Sequence, residues 1–179
     1  MLYGKRIRLR GNERSDLPKF VEWLNDPEVR RYLSMSMPIS QATEEQWFEK
    51  MLKRPPEEQM LGIEIKDGEG WRLIGNSDIF EINWRVRSAE VGLFIGDKSC
   101  WNKGYGTEVM RLLLCHGFGT LNLNRIFLRV DPENLGGIHA YEKAGFVQEA
   151  RLREADFREG KYSDDLIMSV LRSEWTPEK

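Results

Sequence analysis

Ala89-Glu90-Val91-Gly92-Leu93-Phe94-Ile95, the turn Gly104-Tyr105-Gly106 and Arg125-Ile126-Phe127-Leu128-Arg129-Val130 are the pieces of sequence that decide the fold. The first and last are short apolar runs carrying β-branched and aromatic residues, the composition of strands. Between them, residues 107–121 place Val109, Met110, Leu112 and Leu113 on one stripe and Glu108, Arg111 and Cys115 on the other side, the spacing of an amphipathic helix. Strand, helix and strand in that order form a crossover unit, so the two strands should run parallel. Ligands favour the carboxyl ends of parallel strands. Residues 101–107 and 131–141 both begin at such ends.

Working outward, residues 62–66 and 72–80 are strand-like. Asp67-Gly68-Glu69-Gly70 and residues 83–88 separate them from each other and from the crossover, so an antiparallel meander leads into it. Residues 5–10 alternate charged and apolar side chains, with Ile7 and Leu9 inward, the period of a half-buried strand. Ser15-Asp16 followed by Pro18 starts a helix over 17–24, and Asn25-Asp26-Pro27 breaks it and opens a second over 28–33. Ser40 and Thr43 precede a third over 44–53, with Thr43 and Gln46 spaced as a capping box. Downstream, Gly145 stops a short helix over 136–144, and strands over 146–157 and 162–171 close the chain. The expected fold is α+β: a mixed, mostly antiparallel sheet with a central parallel crossover, flanked by helices, in a single domain over residues 1–179.

The 179 residues are 40% hydrophobic and 11% aromatic, which suits one packed core and excludes disorder. Lys and Arg number 27 against 29 Asp and Glu, so the basic surplus that direct nucleic-acid binding rests on is missing. Arg85 and Arg87 read as a solvated hairpin tip, and Arg54-Pro55-Pro56-Glu57-Glu58 is the one linker-like stretch. No apolar run approaches the ~20 residues that span a bilayer, and no apolar stretch follows the basic N-terminus, so neither membrane nor signal peptide is expected. Cys100 and Cys115 make neither a disulfide framework nor a metal quartet, which points to a reduced, cytoplasmic setting. His116 reads as a packed core residue and His139 as solvated. Neither has carboxylates or cysteines at ligand spacing, so no metal is expected.

Lys103-Gly104-Tyr105-Gly106-Thr107 sits between a strand and a helix. Glycines there let the backbone approach a ligand, and the helix start offers unpaired N–H groups and a positive dipole end, a site for phosphate or pyrophosphate. No Gly-Lys-Ser/Thr follows at the P-loop spacing, and the third glycine of a dinucleotide fingerprint is missing.

In this setting Trp101-Asn102-Lys103-Gly104-Tyr105-Gly106-Thr107-Glu108 resembles the acetyl-CoA pyrophosphate loop of the GCN5-related N-acetyltransferases (GNAT). Residues 125–130, then Asn134 and Ile138-His139-Ala140-Tyr141-Glu142-Lys143-Ala144-Gly145-Phe146, resemble the same family's following motif. Asn25-Asp26-Pro27-Glu28-Val29 and Ala89-Glu90-Val91-Gly92 are similar to the branch with ribosomal-protein N-terminal and spermidine acetyltransferases. Two positions depart from the broad pattern. Trp101 stands where it has Gln or Arg, although an aromatic is usual in this branch, and Gly137 stands where Ser is common, at the cost of a ligand contact or a cap.

The resemblance implies direct acetyl transfer from acetyl-CoA to a primary amine: a protein N-terminus, a polyamine, an aminoglycoside or an amino sugar. The parallel strands would splay, and Leu93, Phe94 and Ile95 would offer backbone groups to the pantetheine arm, one amide polarising the thioester carbonyl. Lys103, Gly104, Tyr105, Gly106 and Thr107 would hold the pyrophosphate. Tyr141, protonated at neutral pH, is the candidate acid for the departing thiolate, against a bland reading as a packing tyrosine. Asn134 would bond the arm or the substrate, or simply begin a helix. Glu90 is the candidate base and Asp78 a weaker one, against solvated strand-end charges. Trp23, Tyr32, Trp47 and Trp84 are compatible with an acceptor pocket, but residues at these spacings are more often simple core, and none is assigned to binding. Cys100 has no basic partner nearby in sequence, so no covalent acyl-enzyme is expected. The resemblance also leaves room for a homodimer. The rival reading is a non-catalytic acyl-CoA-binding or sensor module.

Overall fold

The computed structural model describes residues 1–35, 37–158 and 160–176. Its strands are β1 (Leu2–Tyr3), β2 (Ile7–Gly11), β3 (Leu61–Asp67), β4 (Gly70–Asn83), β5 (Ser88–Ile95), β6 (Arg125–Val130), β7 (Val147–Arg158) and β8 (Lys161–Leu171). They form one sheet in the order β1-β2-β3-β4-β5-β6-β8-β7, antiparallel throughout except for the β5/β6 pair. The helices are α1 (Leu17–Leu24), α2 (Pro27–Arg30), α3 (Gln41–Met51), α4 (Tyr105–Gly119) and α5 (Leu135–Ala144). Among the described residues no helix is long and apolar enough to cross a membrane.

Each face of the sheet carries its own core. On one, Val91, Leu128, Val130 and Met168 pack with Val109, Met110, Leu113 and Phe118 of α4. On the other, Phe20, Trp23, Phe48 and Met51 of α1 and α3 pack with Val29, Leu73 and Phe94. Period-two alternation sends neighbouring strand residues to opposite faces, which is how Leu93 joins the first core and Phe94 the second.

Several boundaries move from their sequence expectation for local reasons. The third helix starts at Gln41 rather than 44 because Ser40 is the cap, its hydroxyl accepting from Thr43 N–H at 3.1 Å, so Thr43 lies inside the first turn. The second ends at Arg30, short of 33. α4 starts at Tyr105, two residues early, because Gly104 makes the entry turn in the left-handed region at φ 81°, a conformation that disfavours any side chain.

The crossover is parallel, but only over Ser88↔Arg125, Ala89↔Ile126 and Glu90↔Phe127. Beyond Glu90, β5 continues to Ile95 paired with β4 alone, and β6 continues to Val130 paired with β8 alone. The sheet opens there into a wedge. It is the structural feature that makes a site.

Candidate active site

The wedge opens into a cavity of about 1180 Å³, lined from β5 by Glu90, Leu93, Phe94 and Ile95, from the loop by Asn102 and Gly104–Thr107, and from α5 by Asn134 and Tyr141. Lys103 is exposed and does not line it. Val29, Arg31, Tyr32 and Leu33 form its roof on the α1–α3 side.

The ladder sets which backbone groups face the wedge. Gly96 N–H donates to Ile74 O at 2.8 Å, and antiparallel bonding alternates every second residue. In the register Asn76↔Phe94 and Ser77↔Leu93, the groups of Phe94 therefore turn to β4, while those of Leu93 and Ile95 turn to the wedge. Phe94 thus differs from its expectation as a backbone donor. Its ring instead packs against Phe20, centroids 6.2 Å apart. The Ile95 carbonyl accepts the indole N–H of Trp101 at 2.7 Å, so Trp101 ties the end of β5 to the loop.

In that loop the first helical hydrogen bond runs from Glu108 N–H to Gly104 O at 3.2 Å. Among the described residues the amides of Tyr105, Gly106 and Thr107 find no acceptor. A Cβ on Gly106 would meet only Ala140 Cβ, at 3.8 Å, so packing does not demand that glycine. Close approach of a ligand would. Open amides, a left-handed entry and a positive helix end together fit the diphosphate of a CoA.

Tyr141 stands beside the loop because Thr107 Oγ1 donates to Ala140 O at 3.2 Å, joining α4 to α5. Its ring meets Phe146 edge-on at 6.1 Å, and burial pushes the phenol up to about 12. Its hydroxyl has no hydrogen-bond partner among the described residues. Asn134 caps α5, Oδ1 accepting from Gly137 N–H at 2.9 Å. A Cβ on residue 137 would lie 2.7 Å from Asn134 Nδ2. The glycine thus makes room for the cap, which is kept rather than lost.

Two carboxylates line the α1–α3 side of the wedge. Glu90 is buried, which raises its pKa, and Arg129 Nε opposes this from 3.5 Å. Asp78 is 6% exposed, and burial pushes it up to about 7. Among the described residues it has no hydrogen bond and no ion pair. Gly92 lies across the ladder from it, where a Cβ would come 3.1 Å from Asp78 Oδ1.

Of the four aromatics, only Tyr32 lines the cavity, its hydroxyl donating to Glu133 O at 3.1 Å. Trp23 rests on Gly96, Trp47 packs into the second core and Trp84 is 54% exposed on the β4–β5 turn. His116 is half-buried and lowered by burial, and His139 is exposed. Cys100 does have a basic neighbour, Arg72 Nη2 at 3.9 Å, contributed by β4. That guanidinium is held by Asp67 and Asp97. Among the described residues no cluster of three or more His, Cys, Asp or Glu could hold a metal. Sequence reasoning missed Arg129, Asp131 and Arg158 on the cavity wall; they carry no motif, and only the fold brings them there.

Residues 6–147 match the acetyltransferase (GNAT) domain family. The chain belongs to the GNAT acetyltransferases. It is similar to the spermidine N(1)-acetyltransferase of Vibrio cholerae, 32% identical over 96% of both chains, and to that of Escherichia coli, 31% identical over 96% of this chain and 89% of the other. A crystal structure of the Vibrio cholerae spermidine N-acetyltransferase with CoA and spermine superposes with a TM-score of 0.86 at 30% identity, covering 96% of this chain and 98% of that one. As a GNAT enzyme the protein is an N-acetyltransferase with acetyl-CoA as its donor.

Proposed function

We propose that the acceptor is a polyamine, acetylated on a primary amino group by direct attack on acetyl-CoA. The observation that carries this is Asp78, a buried carboxylate without a partner in the cavity wall. An unpaired buried anion is costly, and a cation bound beside it relieves that cost. Seven carboxylates against four Arg or Lys line the cavity, which favours a multiply charged cation. Arg158 holds Asp131 at 3.0 Å and Asp156 at 2.6 Å, and Arg129 faces Glu90, so among the described residues Asp78 is the buried cavity carboxylate with no ion pair and can receive an ammonium. The spermidine acetyltransferases among the relatives support the same acceptor class.

Acetyl-CoA supplies an activated thioester, and the chain's own residues do the rest. The open amides of Tyr105–Thr107 would anchor the diphosphate. The Leu93 amide, facing the wedge, would donate to the thioester oxygen as charge develops there. Glu90 would take the ammonium proton and free the attacking lone pair, with Asp78 holding the acceptor's charge beside it. Tyr141, kept protonated by burial, would hand its proton to the sulfur as the C–S bond breaks and be reprotonated by the proton that the newly bonded nitrogen sheds on becoming an amide. Unpaired Cys100 and Cys115 suit the reducing cytoplasm, where we place the enzyme.

The test measures CoA release with polyamines, N-terminal peptides, aminoglycosides and amino sugars, for wild type and Asp78→Asn. Spermidine or spermine should give the highest kcat/KM, and Asp78→Asn should lower it by about 10–100-fold, the loss of one charged hydrogen-bond partner. A neutral-flanked peptide outperforming the polyamines, with Asp78→Asn silent, would sink this acceptor assignment.

A further inference from the structure

Arg6 does not line the cavity, yet it straps the glycine loop from behind. Its backbone N–H donates to Glu108 Oε1 at 2.7 Å and its Nε to Oε2 at 2.9 Å. Nη1 donates to the Lys103 carbonyl at 3.0 Å, and the guanidinium lies over the Tyr105 ring, 4.7 Å from its centroid. Nη2 stands 3.4 Å from the point a Gly104 Cβ would occupy. Gly4, on the same turn between β1 and β2, sits close enough that a Cβ there would come 2.9 Å from Glu108 Oε1.

Glu108 explains why such a strap is needed. An acidic side chain in the first turn of a helix is favourable when the N-terminus is otherwise empty, because it meets the positive dipole end. At an anion site the same carboxylate repels the incoming phosphate and competes for the open amides. Arg6 meets both of its oxygens, neutralises it and fixes it against the β1–β2 turn. The bond to Lys103 O fixes the peptide just before the left-handed glycine.

We propose that Arg6 is a positioning residue for acetyl-CoA: by pairing Glu108 and anchoring Lys103 O it keeps the 104–107 amides open for the diphosphate. The proposal rests on the reading of this loop as the CoA anion site. Its readout is a split between affinity and turnover, because Arg6 touches neither the wedge nor the reacting atoms.

The experiment measures CoA Kd by calorimetry, and KM for acetyl-CoA with kcat, on the full chain. The variants are Arg6→Met, Arg6→Lys, Glu108→Gln, the double variant Arg6→Met/Glu108→Gln and Gly104→Glu. Arg6→Met should raise Kd and KM for acetyl-CoA about tenfold, with kcat at saturation within about twofold. Arg6→Lys, which keeps charge without the fork, should fall between. In the double variant Kd should return to within about threefold of wild type, because the repelling charge has gone. Glu108→Gln alone should tighten CoA about twofold, and this arm decides the matter if Arg6→Met fails to fold. Unchanged Kd in Arg6→Met, a loss that Glu108→Gln does not relieve, or weaker binding by Glu108→Gln alone would overturn the proposal. Gly104→Glu separates the two levels. If it abolishes CoA binding while Arg6→Met is silent, only the strap fails. If it too leaves binding intact, the loop is not the anion site and both readings fall.

Discussion

Asp78 and Tyr141 are both buried groups without partners, and the low-dielectric surroundings act on them in opposite functional senses. For Tyr141, burial keeps the proton on, which is what an acid for a thiolate needs, and the free hydroxyl leaves its bond unspent until a substrate arrives. Tyr141→Phe should therefore lower kcat by at least tenfold, within the usual ~10²–10⁴ range for general acids, with CoA affinity nearly constant. Its melting temperature should hold or rise slightly, since no protein hydrogen bond is lost. Turnover within about twofold of wild type would remove Tyr141 from the chemistry. For Asp78, burial raises the pKa from the ordinary 3.8 to about 7. Between those pH values the unfolded chain has released this proton while the folded chain retains it, so the group erodes stability as pH rises and the full penalty stands above 7. Asp78→Asn removes that penalty. Melting curves without ligand should show the variant gaining several degrees over wild type at pH 8 and about 1 °C or less near pH 4, given the usual few degrees per kcal/mol. An offset independent of pH would show that Asp78 titrates normally.

Among elements, legibility in the sequence followed the range of the interactions that fix each one. α1 was readable to the residue because its signals are local: Pro18 in the first turn and Asn25-Asp26-Pro27 after the last. β6 was too, as an apolar run bounded by polar turns. The start of α3 was misplaced because Ser40 and Thr43 are both cap residues, and only geometry shows which hydroxyl faces an open amide. The crossover was predictable from order, and the glycine loop from its place in that order. The phase of the β4/β5 ladder was not, because it depends on long-range pairing, and it is this phase that turns Phe94 away from the wedge and Leu93 into it. The Arg6–Glu108 strap joins residues 102 apart in sequence. Glu108 is the last residue of the loop motif, but Arg6 carries no pattern, and nothing in the sequence pairs the two. Asp78 was visible as a carboxylate, but its isolation is a property of the packed sheet.

At the scale of the whole molecule, the sheet is two blades, β1–β5 and β6–β8–β7, joined by three matched residue pairs and by α4 and α5 packed across the first face. Past Glu90 and Phe127 no backbone pairing joins the blades among the described residues, and the Arg129–Glu90 ion pair spans only the closed end of the wedge, so its edge groups at Leu93 are left to a ligand. A pantetheine arm bonded there as an extra strand, with its diphosphate on α4, would join both blades at once. CoA should then stabilise the entire fold, by about 2.7 kcal/mol when present at a hundred times its Kd. For a chain of this length that is roughly a 5–10 °C rise in Tm. ATP and NAD carry phosphates but no pantetheine, so at matched concentration they should reach the loop without bridging the blades and shift Tm far less. Amide exchange sharpens the test, since the opening energy of a segment follows its own hydrogen bonding. With CoA, protection should rise at Leu93 as well as in the loop, and with ATP in the loop alone. Equal Tm shifts from CoA, ATP and NAD, with Leu93 unprotected in all of them, would mean that the site reads phosphate only and that the wedge between the blades is not the cofactor channel.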